Sequence, residues 1–324
     1  MPRPATVASR LLVVALAVLP LAGCESVVDV DLPPHESQLV AQGFFAAESL
    51  WVARVTSSVG FTGAGRPGFV DDATVEVWAA DGLVARLART DTATYTATGG
   101  QRPQPGVPYT LRVSAPGFTS VEGTGALPDP PQATFSHTVE TGATPTRRVV
   151  RVEMTLTDPV GPTRYALQLL HLRALVDPQA GTVTPLPPAL FPFASADETL
   201  GDPFPNPLDP DNPVYYQALF TDDGFDGAAR TVAFEFAYDE SPPSPSGPAV
   251  RRAFTVVLLS LSDDLYRYAQ TAPEQALFGD NPFAEPLRVH SNMTNGLGIF
   301  AGFQPAAYPV LADSLPGVPG ASGP

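Results

Sequence analysis

The sequence predicts an all-β protein: an immunoglobulin-like sandwich followed by a second antiparallel β domain with one short helix. Three observations carry this expectation. Short apolar or alternating runs recur about every ten residues, separated by turn-forming residues. Proline and glycine, 38 and 27 of the 324 residues, favour turns and long connections over helices. One segment, opening at Ser262, carries helix-start signals.

Gln38 to Phe45 and Trp51 to Ser57 begin the series. Thr74-Val-Glu-Val-Trp78 alternates as a half-buried strand does. Asp81-Gly82 is a hairpin signal between Val75–Ala80 and Leu83–Leu87, because Gly tolerates the positive φ of tight hairpin turns. Tyr95 to Thr98 runs into Gly99-Gly100, Tyr109 to Val113 alternates again, and Ala115-Pro-Gly-Phe118 turns the chain. Residues 37–131 are assigned to the sandwich, which ends at the proline-rich stretch Pro128 to Pro131.

Residues 132–315 are assigned to the second β domain. Val149 to Thr157 reads as a strand. Arg164 to Leu175 carries two periods: Tyr165, Leu167 and Leu169 suit a strand, whereas Leu169-Leu170 with Leu172 suits a helix; the strand is preferred. Asp177 to Pro213 holds ten prolines. Proline lacks an amide donor and fixes φ, so no sheet is expected to run through 177–213, which reads as a long insertion. Phe191, Phe193 and Phe204 within it are expected to pack locally on the sandwich. Val214 to Phe220, Thr231 to Tyr238 and Ala249 to Leu261 return to strand patterns, with 241–248 as a hairpin tip. Ser262 is a natural N-cap, and Asp263 and Asp264 suit the positive end of a helix running past Leu265. Gly296 to Phe303 reads as the last strand, and the tail 316–324 is expected to fray.

The formal charge is -15, and every cation among the 18 basic residues is Arg. So acidic a surface repels phosphate backbones and anionic headgroups, which excludes both as partners. Without Lys there is no Schiff-base chemistry, no phosphate-loop lysine and no pyridoxal-phosphate attachment. Cys24 is the single cysteine, so disulfides and Cys-based zinc sites are excluded.

Residues 1–23 read as a lipoprotein signal peptide. Arg3 and Arg10 precede an apolar run from Leu11 to Leu21, about 16 Å long as a helix and only half a bilayer core. Leu21-Ala22-Gly23-Cys24 follows: an apolar residue, two small residues that admit the backbone to a signal peptidase, then the thiol. Cys24 is therefore the expected lipid-attachment site. One acyl chain binds membranes only marginally, whereas two or three, such as palmitate with diacylglycerol, hold firmly. The mature chain would carry 16 basic against 33 acidic side chains. Residues 24–36 form the expected tether; Glu25, Asp29 and Asp31 within it suit a sorting signal towards the outer membrane or cell surface.

Other motifs fail or are weak. His35-Glu36 starts a zinc-protease pattern, but Leu39 stands where the second His belongs. His137, His171 and His290 are scattered, and surface or edge positions are expected of them. Gly296-Leu-Gly-Ile-Phe-Ala301 matches a dinucleotide fingerprint only formally, with too little chain after it for a βαβ unit. Among carboxylates no pair stands out for glycoside chemistry. The block Thr221-Asp222-Asp223-Gly224-Phe225-Asp226-Gly227 offers Asp222, Asp223 and Asp226 as weak calcium ligands on a tight loop, although its spacing is not that of an EF-hand. No cofactor is expected, and no catalytic residue is assigned.

Several blocks, in order, carry a resemblance. They are Cys24-Glu25 with Val27-Val28-Asp29-Val30, Asp72 to Val77, Pro108-Tyr-Thr-Leu111, Leu127-Pro128, Phe220 to Gly227, Leu265-Tyr-Arg-Tyr268 and, most specifically, Ser291 to Phe300. Together they resemble domain of unknown function 4249, a family of lipoproteins from Gram-negative envelopes. The resemblance implies a non-enzymatic, ligand-binding accessory of a TonB-dependent outer-membrane transporter, lipid-anchored at the outer membrane. A structural or adhesive envelope protein is the alternative, and a hydrolase of unknown substrate the third reading. The Pro-rich stretch and the absence of Lys depart from the family pattern.

Overall fold

The computed structural model describes residues 35–60, 67–177, 179–201, 216–240, 249–278 and 288–312. The leader, Cys24, Phe204, the tip 241–248 and the tail 316–324 lie outside the described residues. The chain divides into two units, Met1–Glu36 and Ser37–Pro324, and the fold is that of the second.

The described strands are β1 (Leu39–Phe45), β2 (Val52–Ser57), β3 (Gly68–Phe69), β4 (Thr74–Ala79), β5 (Gly82–Asp91), β6 (Thr94–Ala97), β7 (Pro108–Ser114), β8 (Val121–Ala126), β9 (Gln132–Thr141), β10 (Arg147–Thr157), β11 (Arg164–Asp177), β12 (Thr182–Leu190), β13 (Gln217–Thr221), β14 (Ala229–Asp239), β15 (Ala249–Leu261), β16 (Met293–Thr294) and β17 (Leu297–Ala312). One α-helix, α1 (Asp263–Phe278), sits between β15 and β16. The all-β expectation holds, as do the preferred strand over Arg164 to Leu175 and the helix from Ser262.

The large sheet runs β12-β11-β15-β17-β1-β2-β6-β5-β4-β7-β8-β16, with β13 added to β11 and β3 to β2. A second sheet of β14-β10-β9 lies apart from it. Strand β17 serves both halves. Its residues 297–302 pair with β1, and 303–312 pair antiparallel with β15. The β1–β17 ladder is parallel, an exception to the antiparallel expectation.

The period-two pattern explains which faces are buried. In β10, Val150, Val152, Met154 and Leu156 point inward, while Arg151 reaches Glu140 on β9 and Glu235 on β14. Two cores result. The first gathers Trp51, Tyr95, Tyr109, Phe45 and Phe300, with Phe45 and Phe300 rings 4.6 Å apart. The second lies where β10 and β14 face β11 and β15, around Leu167, Phe193, Phe234, Phe254 and Leu258. Full burial of each such side chain contributes about 1.5–3 kcal/mol.

The Pro-rich stretch corrects one expectation. Strand β12 runs through Pro185, Pro187 and Pro188, where no sheet was expected. It is an edge strand, paired only with β11, and one side of an edge needs no donors. Its register with β11 shifts between His171 and Arg173, which passes over Pro187 and Pro188. Phe193 enters the second core and Phe191 packs against it, so neither packs on the sandwich of residues 37–131 as expected.

Candidate functional site

Two family-like blocks meet around the start of α1. The helix begins where Ser262 Oγ accepts from the Leu265 amide, at 3.4 Å. Asp263 pairs with Arg267 one turn on, at 2.8 Å, and with Arg164 at 3.4 Å. Asp264 meets His290 Nε2 at 2.8 Å and accepts from Asn292 Nδ2 at 3.1 Å. Asn292 also donates to the carbonyls of Thr124 (3.1 Å) and Phe300 (2.9 Å), and its Oδ1 accepts from the Phe300 amide at 2.9 Å. One side chain thus joins β8, β17 and the helix start.

The glycines of that block have a structural purpose. At Gly298, φ is +119°, and an added Cβ would fall on the Ala41 carbonyl oxygen. Only glycine lets β17 lie this close to β1. The nucleotide-like spacing of the block therefore reflects strand packing.

The acidic turn is built from both sides of the second core. Oxygens of Asp158, Asp222 and Asp226 lie within 4.8 Å of one another. Asp158 replaces the expected Asp223, whose carboxylate turns to the Thr221 hydroxyl at 2.6 Å. Asp158 follows β10, and pairing of Thr157 with Ala229 carries it to the turn; no local signal marks it. Each carboxylate already accepts hydrogens. Asp158 takes the Tyr165 hydroxyl (2.6 Å) and the Gly227 amide (3.1 Å). Asp222 takes the Thr163 amide, and Asp226 the Gly161 amide, both at 2.8 Å. These bonds stitch two loops together and account for the burial of Asp158 and Asp222, each 4% exposed. Burial, then the bond to Asp158, pushes the Tyr165 phenol far above its usual range, so it remains a donor. The remaining lone pairs are of the oxygen type that hard cations prefer.

Beside α1 lies a groove of about 1470 Å³ over the outer face of β1, β2 and β17, walled by α1 and residues 288–291. Val40, Thr56 and Leu297 contribute to its floor, and Arg54, Arg267, Arg288 and His290 to its polar lining. Tyr268 Oη accepts from Gln42 Nε2 at 3.0 Å within it. Among the described residues, Arg54 and Arg288 have no carboxylate at ion-pair distance, whereas Arg267 is held by Asp263. A smaller apolar pocket of about 580 Å³, lined by Phe44, Leu259, Leu261, Leu265 and Phe303, shares Tyr268 with the groove.

The histidines are as scattered as expected, but not all are superficial. His137, on edge strand β9, has its Nδ1 3.3 Å from the hydroxyl of Tyr308 on β17. His171 stacks on Phe254 in the second core, and burial first, then Arg173 and Arg252, lower its pKa to about 4. Among the described residues no hydroxyl is hydrogen-bonded to the His290 ring, whose partner is Asp264. Sequence reasoning missed Asn292 and Arg54 as contributors, since neither lies in a recognisable chemical motif.

The family model described as Domain of unknown function (DUF4249) matches residues 25–308. No curated protein matches the chain.

Proposed function

The chain belongs to the DUF4249 family, and from that premise we propose that it is a lipid-anchored, non-enzymatic binding protein of the outer membrane, an accessory of a TonB-dependent transporter. The groove beside α1 carries the binding reading. On a chain of net charge -15, Arg54 and Arg288 are spared from ion pairs within the described residues and share an apolar floor. Deep clefts with apolar walls and a few placed polar groups are the usual form of a ligand site. His290 is bonded to Asp264, which holds 288–292 against the helix and so shapes one wall of the groove. The anchor rests on Leu21-Ala22-Gly23-Cys24 and its short apolar leader. No helix among the described residues is long and apolar enough to cross a membrane. The proposed attachment is the acylated Cys24.

Two measurements test the proposal. Labelled palmitate is expected to enter the wild-type protein and not Cys24→Ser, which should accumulate as precursor; normal processing of that variant overturns the anchor. Gentle extraction at native expression is expected to recover a transporter barrel with the protein, and charge reversal at Arg54 and Arg288 is expected to weaken that complex. A barrel-free monomer removes the transporter and leaves the structural or adhesive reading.

A further inference from the structure

The far end of the second core presents a different chemistry. Arg173 on β11 stands directly opposite Arg252 on β15 in the strand register, and His171 stands opposite Phe254 on the same face. The His171 ring stacks on Phe254 at 4.7 Å and 7°, with Phe191 edge-on at 5.3 Å. Both arginines are only partly exposed. Three nitrogens here are buried without a hydrogen-bond partner: His171 Nε2, Arg173 Nε and Arg252 Nε.

Two like charges facing each other across a ladder destabilise it, and unpartnered buried donors add to that cost. No carboxylate offsets them among the described residues. Asp239 is paired with Arg147 at 3.2 Å and Glu240 with Arg148 at 2.7 Å. Asp177 accepts from the amides of Gln179 and Ala180, at 2.9 and 3.0 Å. Arg252 reaches only a backbone carbonyl, that of Asp239, at 2.8 Å. Although the chain has 33 acidic residues, none among the described residues supplies a counter-ion at this place.

We propose that Arg173 and Arg252 together bind a small oxyanion, a carboxylate or phosphate group, at the rim of the second core beside His171. Guanidinium groups present rigid forks that match such oxygens two at a time. An oxyanion between them replaces cross-strand repulsion with charge-assisted bonds. The aromatic wall of Phe191 and Phe254 lowers the local dielectric, which strengthens those bonds. His171, neutral when empty, adds a ring nitrogen to the same face. The site shares no residue with the groove beside α1, so it stands whatever becomes of the transporter reading.

Thermal unfolding of the full chain tests this, with inorganic phosphate and succinate each compared against sodium chloride at matched ionic strength. Wild type is expected to gain several degrees with one or both anions; the more effective one names the group. Arg173→Met and Arg252→Met are expected to gain nothing, and to unfold in chloride no earlier than wild type. Equal gains in all three proteins overturn the proposal. Should either variant fail to fold, the His171 imidazole resonance of wild type decides. Its titration is expected to move to higher pH with the effective anion, and an unmoved titration under both anions overturns the site.

Discussion

In the first core the buried aromatic side chains give their polar atoms to nearby backbone. Tyr95 donates to the Val70 carbonyl and accepts from the Ala73 amide, Trp51 donates to the Gln101 carbonyl, and Tyr109 accepts from the Gln104 amide. The second core pairs side chain with side chain. Tyr165 depends on the buried carboxylate of Asp158 at one end, and His171, Arg173 and Arg252 keep unpartnered nitrogens at the other. Backbone partners neither titrate nor leave, so these bonds of the first core do not depend on pH or ions. The second is sensitive to both, because its polar balance rests on ionisable groups.

The largest effect is expected at the seam where the halves share β17. Gly298→Ala should cost upwards of about 4 kcal/mol and unfold both cores together, since the new Cβ meets the Ala41 backbone and φ is +119°. A change of less than about 1 kcal/mol in unfolding free energy would mean that the backbone beside Gly298 has room for a side chain. Next, Asp158→Ala leaves the Tyr165 hydroxyl and the Gly227 amide without their acceptor and should cost about 2–4 kcal/mol by urea unfolding. Tyr95→Phe, whose lost partners are backbone groups, should cost about 1–2 kcal/mol. Equal costs would break the distinction between the cores.

The smallest effect is one of pH. His171 titrates near 4 when folded, below its ordinary 6.5, because burial and the facing Arg173 and Arg252 disfavour its proton. The unfolded chain therefore binds more protons across that window, and this group's contribution to stability falls as pH drops from 6.5 towards 4. The stability gap between wild type and His171→Phe should be constant above the window, shift against wild type within it and level off below. A gap unchanged by pH would show that the ring is solvated.

Much of the architecture was legible along the chain. Alternation located β4 and β7, strand-like runs located β10 and β15, and Ser262 with its two Asp marked the start of α1. The misses have physical causes. Strand β8 was not assigned from the sequence; it contains Gly123 and Gly125, and an added Cβ on Gly125 would meet the Phe300 carbonyl oxygen at 2.6 Å. Strand β12 was hidden by prolines that only an edge accepts. At the candidate site, the carboxylate oxygens that gather with those of Asp222 and Asp226 come from Asp158, while Asp223 turns to Thr221. Asn292 lay inside the most specific block without any sign that its amide joins three elements.

By itself, the sequence determined which faces of the strands turn inward, where the helix starts and which chemistries are excluded by the lack of Lys and the single Cys. Those are local properties, set by side-chain period, capping and composition. Tertiary structure alone decided that β17 runs parallel to β1, that Asp158 meets Asp222, and that Arg173 faces Arg252. Strand register joins residues far apart in the chain. It is chosen by how whole faces pack together, and a period of two residues leaves that choice open.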